Sequence, residues 1–282
     1  ELKPALYLVS TPIGNLDDIT LRALNVLRDA DVILCEDTRR TSKLLNHFGL
    51  KTTLKKYDDH STEKDRLTSV RLIENGQSIA LVSDAGTPLL SDPGFKLVRD
   101  CQEKQIKVIP VPGANALLPA LQLSGLGSDR FCFLGFLPPK KQSREKALES
   151  LKDLDMPFIV FETANRLESL LESCLDVLGD RAISVSRELT KIYEDTRHGS
   201  VNQILDEIKK DILPLKGEMV VVIDRAQTQT LDEKQIRQML IGKIQDGVPV
   251  KEAAKDIASQ SDWKKSDVYN LALEVKRETR QT

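Results

Sequence analysis

One short segment of the sequence places acidic and basic side chains next to each other. Glu36 and Asp37 open the string E-D-T-R-R-T, residues 36–41, and Arg39 and Arg40 follow two residues later. A carboxylate beside a reacting hydroxyl can accept its proton, and arginine binds phosphate through two hydrogen bonds at once. The same residues are also typical of a helix N-terminus, where acidic side chains interact favourably with the helix dipole. Both interpretations are open on these residues alone.

Three further segments are rich in glycine and proline and follow apolar runs. They are S-T-P-I-G-N (10–15), S-D-A-G-T-P-L-L-S-D-P-G (83–94) and V-P-G-A-N-A (111–116). Glycine lets a ligand approach the main chain closely, and proline stiffens a turn. One such segment would be an ordinary tight turn, but three of them predict a cleft lined by main-chain groups. None matches G-x-G-x-x-G or G-x-x-x-x-G-K-[ST], which disfavours a Rossmann dehydrogenase or a P-loop NTPase.

Asp84 lies in the second of these segments. Its carboxylate could hold an ammonium or hydroxyl group of a ligand, or it could form an Asx-turn or a helix cap. The three segments carry little positive charge. A ligand with an adenosine and an amino-acid end therefore fits the predicted cleft better than a nucleoside triphosphate.

The elements that position these segments can be predicted from apolar patterning. Over residues 5–125, β-type runs at 5–10, 31–37, 51–57 (the weakest), 78–84 and 106–111 alternate with stretches of helical spacing at 21–27, 42–48 and 95–101. Such alternation predicts a parallel sheet with helices on both faces. Ligands of these sheets bind beyond the carboxyl ends of the strands. The polar segments described above therefore lie at the predicted binding edge.

The rest of the chain predicts a second sheet and a helical extension. Strand runs follow one another as well as helices over residues 130–225, including one at 192–197, which favours a mixed sheet. Helices are expected near 142–154, 165–178 and 201–210, with a linker at 123–129. The last 50 or so residues have the apolar spacing of three short helices. We therefore expect an α/β protein with a parallel-sheet domain (1–125), a mixed-sheet domain (126–228) and a small helical C-terminal extension (229–282).

Composition and charge restrict the class of protein. The 282 residues include 41 Lys or Arg and 43 Asp or Glu, a formal net charge of −2, whereas nucleic-acid binders usually carry a basic excess. Residues 138–146 nevertheless carry four positive charges and one negative, which is typical either of a solvated helix or of a loop that binds RNA. Four cysteines and three histidines form no metal-ligand pattern, and we expect no metal. The apolar stretches are far shorter than the roughly 20 residues that span a bilayer, and no signal pattern opens the chain, so we expect a cytoplasmic protein with no membrane partner.

The three glycine- and proline-rich segments resemble the cofactor-binding turns of the tetrapyrrole methylase family. The members of this family are two-domain α/β methyltransferases that bind S-adenosylmethionine between the domains. Ser10 and Pro12 stand where many members have glycine, and Ile13 stands where they have proline, which points away from the corrin and uroporphyrinogen enzymes. The strings S-T-P-I-G-N-L-D-D-I-T, E-D-T-R-R-T, S-D-A-G-T-P-L-L-S-D-P-G, F-E-T-A-N-R and S-R-E-L-T-K resemble a bacterial branch that methylates the ribose 2′-hydroxyl of a decoding-site cytidine in small-subunit ribosomal RNA. The resemblance extends over residues 5–225, and the C-terminal helices are similar to that branch's extension.

The resemblance implies S-adenosylmethionine as cofactor, the 16S rRNA of the small ribosomal subunit as partner, and a homodimer. The implied cofactor-binding residues are Ser10, Pro12, Gly14, Asp84, Ala85, Gly86, Pro88, Pro112, Gly113 and Ala114 from the first domain, and Phe161, Glu162, Thr163 and Met219 from the second. A methylase of a tetrapyrrole or other small molecule, and a ribosome-associated binding protein without catalysis, are the alternatives.

The catalytic and RNA-binding candidates follow from the same resemblance and from local charge. The catalytic candidates are Glu36, Asp37, Arg39, Arg187 and Glu188. The RNA-binding candidates are Arg40, Lys140, Lys141, Arg144, Lys191, Lys264 and Lys265. Two clusters, Arg187 with Glu188 and Lys191, and Asn165 with Arg166, could equally form ion pairs. The helix-turn-helix spacing after residue 250 could serve RNA binding, packing or dimerisation.

Overall fold

A computed structural model describes residues 2–127, 129–226, 231–261 and 263–278. The chain divides into two compact units, a larger one that ends at Asp224 and a smaller one that begins at Arg225. The larger unit contains two five-stranded sheets and the smaller one contains helices.

The first sheet is entirely parallel, as the alternating pattern predicts. Its strands are Ala5–Val9 (β1), Val32–Cys35 (β2), Leu54–Lys56 (β3), Ser78–Val82 (β4) and Val108–Val111 (β5). Their order across the sheet is β3-β2-β4-β1-β5. Val9, the last residue of β1, pairs with Val82 of β4 and Val111 of β5. Because three strands end in register, the three glycine- and proline-rich segments begin side by side.

Helices cover both faces of this sheet. They are Leu21–Asp29 (α1), Thr38–His47 (α2), Glu63–Glu74 (α3) and Phe95–Glu103 (α4). Side chains alternate along β1, so that Tyr7 packs with α1 and α2 while Leu6 packs with α3 and α4. The apolar spacing did not indicate α3, since few of its residues are buried, but the capping box of Thr62 with Asp65 marks its start.

The second sheet is mixed, as expected. Its strands are Cys132–Phe136 (β6), Phe158–Thr163 (β7), Ala182–Arg187 (β8), Asp195–Ser200 (β9) and Glu218–Ile223 (β10). Their order across the sheet is β6-β7-β10-β8-β9, and β6 with β7 is the parallel pair. Lys141–Glu149 (α6), Ala164–Leu178 (α7) and Val201–Lys209 (α8) pack on one face. Leu117–Ser124 (α5), which follows β5, packs on the other face and covers Ile159 and Val222.

Two predicted boundaries in this half are wrong. The strand predicted at 192–197 begins only at Asp195, because Ile192 and Tyr193 are 95% and 71% exposed in the preceding loop and do not pair with β8. The helix predicted near 142–154 ends at Glu149, and turns follow it.

The smaller unit confirms the three predicted helices, Glu233–Gln245 (α9), Val250–Gln260 (α10) and Lys265–Glu278 (α11). Their apolar faces form one core that includes Leu240, Ile257 and Val268. Among the described residues, no helix is both long and apolar enough to cross a membrane.

Candidate active site

A cleft lies between the two sheets of the larger unit, at the carboxyl edge of the first sheet. Its cavity has a volume of about 300 Å³, within the range of small-molecule sites. From the first half of the unit it is lined by Ile13, Arg40, Asp84, Ala85, Gly86, Thr87, Leu90, Ser91, Asp92, Asn115 and Ala116. From the second half it is lined by Phe136, Phe161, Glu162, Thr163, Ser186, Leu189, Glu218, Met219 and Val220.

Hydrogen bonds join the three predicted segments to one another at this edge. Thr11 and Gly86 exchange two main-chain hydrogen bonds, of 2.8 and 3.0 Å. The Ser10 hydroxyl lies 3.0 Å from the Thr87 hydroxyl, which donates to the carbonyl of Ala114 at 3.1 Å. The floor of the cleft is therefore a connected set of main-chain and hydroxyl groups.

Two glycines in these segments are required by the geometry. Gly86 has φ +90°, a conformation that residues with a Cβ rarely adopt. Gly113 lies so close to β1 that a Cβ there would be 2.9 Å from the Cβ of Ser10. These glycines allow the second and third segments to approach the first.

Asp84 connects the acidic string at residues 36–41 to the cleft. Its Oδ1 accepts a hydrogen bond from the Asp37 main-chain N–H at 3.0 Å, and its Oδ2 lies 3.5 Å from Arg40 Nη1. Besides the cleft, Asp84 lines a cavity of about 260 Å³ with Pro12, and another of about 420 Å³ with the predicted catalytic residues Glu36, Asp37 and Arg39. The three cavities meet at this carboxylate.

The pKa values of the two carboxylates in this string are shifted in opposite directions. Burial raises the pKa of Glu36 to about 7, and repulsion from Asp92 and Asp84 adds to the effect. Oε1 of Glu36 is buried and has no hydrogen-bond partner among the described residues. In contrast, hydrogen bonds from Arg39 hold the pKa of Asp37 well below its ordinary value. At neutral pH Glu36 is therefore able to exchange a proton, whereas Asp37 stays ionised.

Asp37 is the N-cap of α2, which supports the structural interpretation of this string. Its Oδ1 accepts from the Arg39 main-chain N–H at 2.8 Å, and its Oδ2 accepts from Arg39 Nη2 at 2.8 Å. Both oxygens of this carboxylate therefore accept hydrogen bonds from the first turn of the helix that it caps.

Asp92 is a further titratable group in the cleft. Burial raises its pKa to about 6, against a hydrogen bond with Ser83 that lowers it. The described residues contain no group of three or more histidine, cysteine, aspartate and glutamate side chains arranged to hold a metal ion.

Comparison with known proteins identifies the family. Over residues 5–237, most of its length, the chain matches the Tetrapyrrole (Corrin/Porphyrin) Methylases. The chain belongs to the tetrapyrrole methylase family. The resemblance that the glycine- and proline-rich segments indicated is thereby confirmed.

The relatives of this tetrapyrrole methylase carry a common name. It is 43% identical to "Ribosomal RNA small subunit methyltransferase I" of Escherichia coli O157:H7, over 95% of this chain and 94% of the relative. It is 41% identical to the protein of the same name from Rickettsia prowazekii, over 98% of both chains.

Solved structures agree on the fold. A diphthine synthase superposes with a TM-score of 0.60 at 14% identity, covering 94% of this chain and 99% of that one. A uroporphyrin-III C-methyltransferase from Thermus thermophilus, solved with S-adenosyl homocysteine, superposes with a TM-score of 0.55 at 17% identity, covering 79% of this chain and 98% of that one.

Half of the predicted cofactor-binding residues line the cleft of this tetrapyrrole methylase directly: Asp84, Ala85, Gly86, Phe161, Glu162, Thr163 and Met219. Pro12 lines the second cavity instead. The remaining ones, Ser10, Gly14, Pro88, Pro112, Gly113 and Ala114, lie outside the lining. Of these, Ser10, Gly113 and Ala114 support the loops beneath it.

Two ion-pair clusters lie beside the second wall of the cleft, which Glu162 and Glu218 line. Glu162 is only 2% exposed, and its Oε1 accepts from the Thr163 main-chain N–H at 2.8 Å. Arg166 Nη2 lies 3.1 Å from Oε2 of Glu162 and donates to the carbonyl of Leu137 at 2.8 Å. Of the predicted pair, Arg166 therefore forms an ion pair with Glu162, whereas Asn165 accepts a hydrogen bond from the Thr163 hydroxyl.

The second cluster surrounds Lys191. Its Nζ donates to Glu188 Oε1 and Glu218 Oε2, both at 2.9 Å, and Glu188 Oε1 also accepts from the Glu218 main-chain N–H. Arg187 is half-buried at the end of β8. Neither Arg187 nor Glu188 lines the cleft, although their neighbours Ser186, Leu189 and Glu218 do.

One RNA-binding candidate is contradicted by its position. Arg144 is 3% exposed, and its guanidinium donates to the Ser173 hydroxyl and to the carbonyls of Pro139 and Ser169. This side chain holds α6 against α7, so it is not available to RNA.

The other basic candidates differ in their surroundings. Arg40 lines the cleft, Lys140 is exposed at the start of α6, and Lys141 lies 3.2 Å from Asp176. Lys264 and Lys265 are exposed in the smaller unit.

Several lining residues were not predicted. Some lie within two residues of predicted ones in sequence: Ile13, Thr87, Asn115, Ala116, Glu218 and Val220. Leu90, Ser91 and Asp92 lie farther along the second glycine- and proline-rich segment, of which only earlier residues were predicted to bind the cofactor. Phe136 had no signal, because its position depends on an irregularity in β6.

Proposed function

We propose that this tetrapyrrole methylase transfers a methyl group from S-adenosylmethionine to the ribose 2′-hydroxyl of a cytidine in the 16S rRNA of the small ribosomal subunit. The observation that carries the proposal is the identity of over 40%, across nearly the whole chain, to relatives named for small-subunit rRNA methylation. We further propose that the enzyme acts in the cytoplasm as a homodimer.

The cleft suits the cofactor in size and in the chemistry of its lining. One wall offers main-chain groups at Ala85 and Gly86, and the other offers Phe161, Thr163 and Met219. The positive φ of Gly86 brings its main chain to the cavity, and the Asp84 carboxylate supplies a negative group for an ammonium or a hydroxyl. When bound, S-adenosylmethionine supplies an activated methyl group on a sulfonium.

The residues of this chain contribute positioning and proton transfer. Holding two reactants in line accounts for much of the rate of such a displacement. A ribose hydroxyl must also lose its proton, and a base works best when its pKa lies near the working pH. Glu36, with its pKa near 7, meets that requirement better than Asp37, so we assign the base to Glu36 and a capping role to Asp37.

We assign RNA contact to two exposed cations, one in the cleft and one in the basic string at residues 138–146. Arg40 is 65% exposed by its side chain and lies at the junction of the cleft with the second cavity. Lys140 is exposed in the basic string at residues 138–146. We expect both to contact phosphate, and their substitution should reduce the salt dependence of binding.

The test uses small ribosomal subunits from cells that lack this protein, incubated with the enzyme and cofactor labelled in the methyl group. Label in 2′-O-methylcytidine after digestion of the 16S rRNA supports the proposal, and it should disappear when the target carries 2′-deoxycytidine. Label on a base or in a ribosomal protein contradicts it. S-adenosyl homocysteine should also raise the melting temperature, since a ligand that binds only the folded state stabilises it. No rise would favour a binding protein without catalysis.

A further inference from the structure

An aromatic side chain is exposed inside the cleft. Phe136, the last residue of β6, is 51% exposed although phenylalanine is usually buried. Its ring lies edge-on to that of Phe161, with centroids 5.8 Å apart, and Phe161 packs in the same way on Phe133 at 4.8 Å. The ring of Phe161, itself packed on Phe133, therefore supports Phe136, which lines the cavity with about half of its surface exposed.

The backbone of β6 departs from regular geometry in order to present this ring. In a regular strand, residues three apart point to opposite faces. Here Phe133 and Phe136 both contact Phe161, because the pairing of β6 with β7 shifts between them and Gly135 has φ +62°. Such bulges redirect side chains and occur next to active sites. A Cβ at Gly135 would lie 2.8 Å from the Ser91 hydroxyl, so the bulge also packs against the cleft loop of the first half.

We propose that Phe136 stacks on the nucleobase of the nucleotide whose ribose is methylated. This inference rests on the proposed function. A ribose can enter a cleft between two sheets only if its nucleotide leaves the stack of its neighbours, and the base then needs a new stacking partner. Aromatic side chains supply that partner for any base, because every base has a π-face.

The surroundings of Phe136 favour a base over a purely apolar ligand. The same cavity presents the charged groups of Arg40 and Asp84 and the amide of Asn115. A nucleotide offers a flat ring for Phe136 and polar groups for the opposite wall. The adenine of the cofactor also has a flat ring, so the test must separate the two.

The first measurement compares substitutions at Phe136. Phe136→Ala should lower kcat/KM for small subunits about 10- to 100-fold, the range that corresponds to loss of one base–aromatic stack. Phe136→Trp should retain most of the activity, whereas Phe136→Leu, which is apolar but not aromatic, should not. The affinity for S-adenosyl homocysteine, measured by calorimetry, should stay the same in all three. Phe95→Ala is the matched control, because Phe95 is 68% exposed but does not line the cleft.

The second measurement removes the base instead of the ring. Small subunits are reconstituted with an RNA whose target nucleoside is abasic but keeps its 2′-hydroxyl. If the ring and the base stack on each other, Phe136→Ala should lower kcat/KM for the normal substrate but should cause little further loss with the abasic substrate. Multiplied losses, or an equal loss of S-adenosyl homocysteine affinity, overturn the inference in favour of another contact or of the cofactor's adenine.

The same experiment distinguishes this inference from the proposed function. If the wild type does not methylate RNA, the proposed function is wrong and the stacking role is rejected with it. If the wild type methylates RNA and Phe136→Ala does so equally well, only the stacking role is wrong.

Discussion

The main-chain N–H of Asp37 donates a hydrogen bond of 3.0 Å to Oδ1 of Asp84, which joins the residues after β2 to those after β4. The two strands are neighbours in the parallel sheet, so the acidic string at residues 36–41 is held beside the second glycine- and proline-rich segment. Oδ2 of the same carboxylate faces Arg40 at 3.5 Å. Asp84 therefore has two roles: it accepts a hydrogen bond that joins two loops, and it places a negative charge in the cleft.

Two substitutions of Asp84 should separate these roles. Asp84→Asn keeps an acceptor for the Asp37 N–H and removes the charge, so we expect weaker binding of S-adenosyl homocysteine with little loss of stability. Asp84→Ala should also lower the free energy of unfolding by about 1–3 kcal/mol, the cost of leaving such a donor without its partner. Calorimetry and urea unfolding measure the two effects. Equal loss of stability in both variants would show that the charge itself holds the loops together.

The assignment of Glu36 as the base predicts a pH profile. A base must be deprotonated, so the wild-type kcat should rise with pH and level off above the Glu36 pKa of about 7. Glu36→Gln should lower kcat strongly and abolish this rise of kcat with pH. Asp37→Asn is the control, since it retains an oxygen for the helix cap and should keep the rise of kcat with pH. If kcat of Glu36→Gln still rises with pH, another carboxylate is the base, and Asp92 is the first candidate.

The raised pKa values also predict how stability depends on pH. Burial raises the pKa of Glu36 from 4.5 to about 7 and that of Asp92 from 3.8 to about 6, so the folded state holds protons that the unfolded state releases. Their contribution to stability is complete below about pH 4 and decreases as the pH rises towards 7. Urea unfolding of the double variant Glu36→Gln/Asp92→Asn should therefore show a larger gain over the wild type at pH 8 than at pH 5. A gain that is independent of pH would contradict these shifts.

The fold and the location of the site were predictable because they depend on patterns that are local in sequence. Continuous apolar strands that alternate with helices indicate a parallel sheet, and the register of Val9 with Val82 and Val111 then brings the loops together. Phe136 was missed because a bulge breaks the two-residue period. Arg144 was misassigned because its charge run does not reveal that its partners, Ser169 and Ser173, lie on the next helix. Contacts between different helices and strands cannot be predicted from the neighbouring residues in the sequence.

The ion pair between the buried Glu162 and the partly exposed Arg166 predicts an effect on stability. Arg166→Met leaves the Glu162 carboxylate buried without its cation. We expect the free energy of unfolding to fall by less than the roughly 3–5 kcal/mol that breaking a fully buried pair costs, because water reaches Arg166. The double variant Glu162→Gln/Arg166→Met removes the uncompensated charge and should recover part of the loss. Urea unfolding measures both. Similar stability of the single and double variants would mean that the hydrogen bond from Arg166 to Leu137, and not the charge pair, carries the interaction.

The last prediction concerns a contact between the two halves of the larger unit. Gly14 lies against the side chain of Lys191, and a Cβ at Gly14 would overlap its Cγ. Lys191 cannot move aside without cost, because Glu188 and Glu218 both hold its Nζ. We therefore expect Gly14→Ala to lower the free energy of unfolding by about 1–3 kcal/mol, as other overpacking substitutions do. In the background of Lys191→Ala the obstacle is gone, so the same substitution should have little effect. Thermal unfolding of the four proteins in this double-mutant cycle measures the coupling, and additive effects would show that Gly14 is required for a reason other than the approach of Lys191.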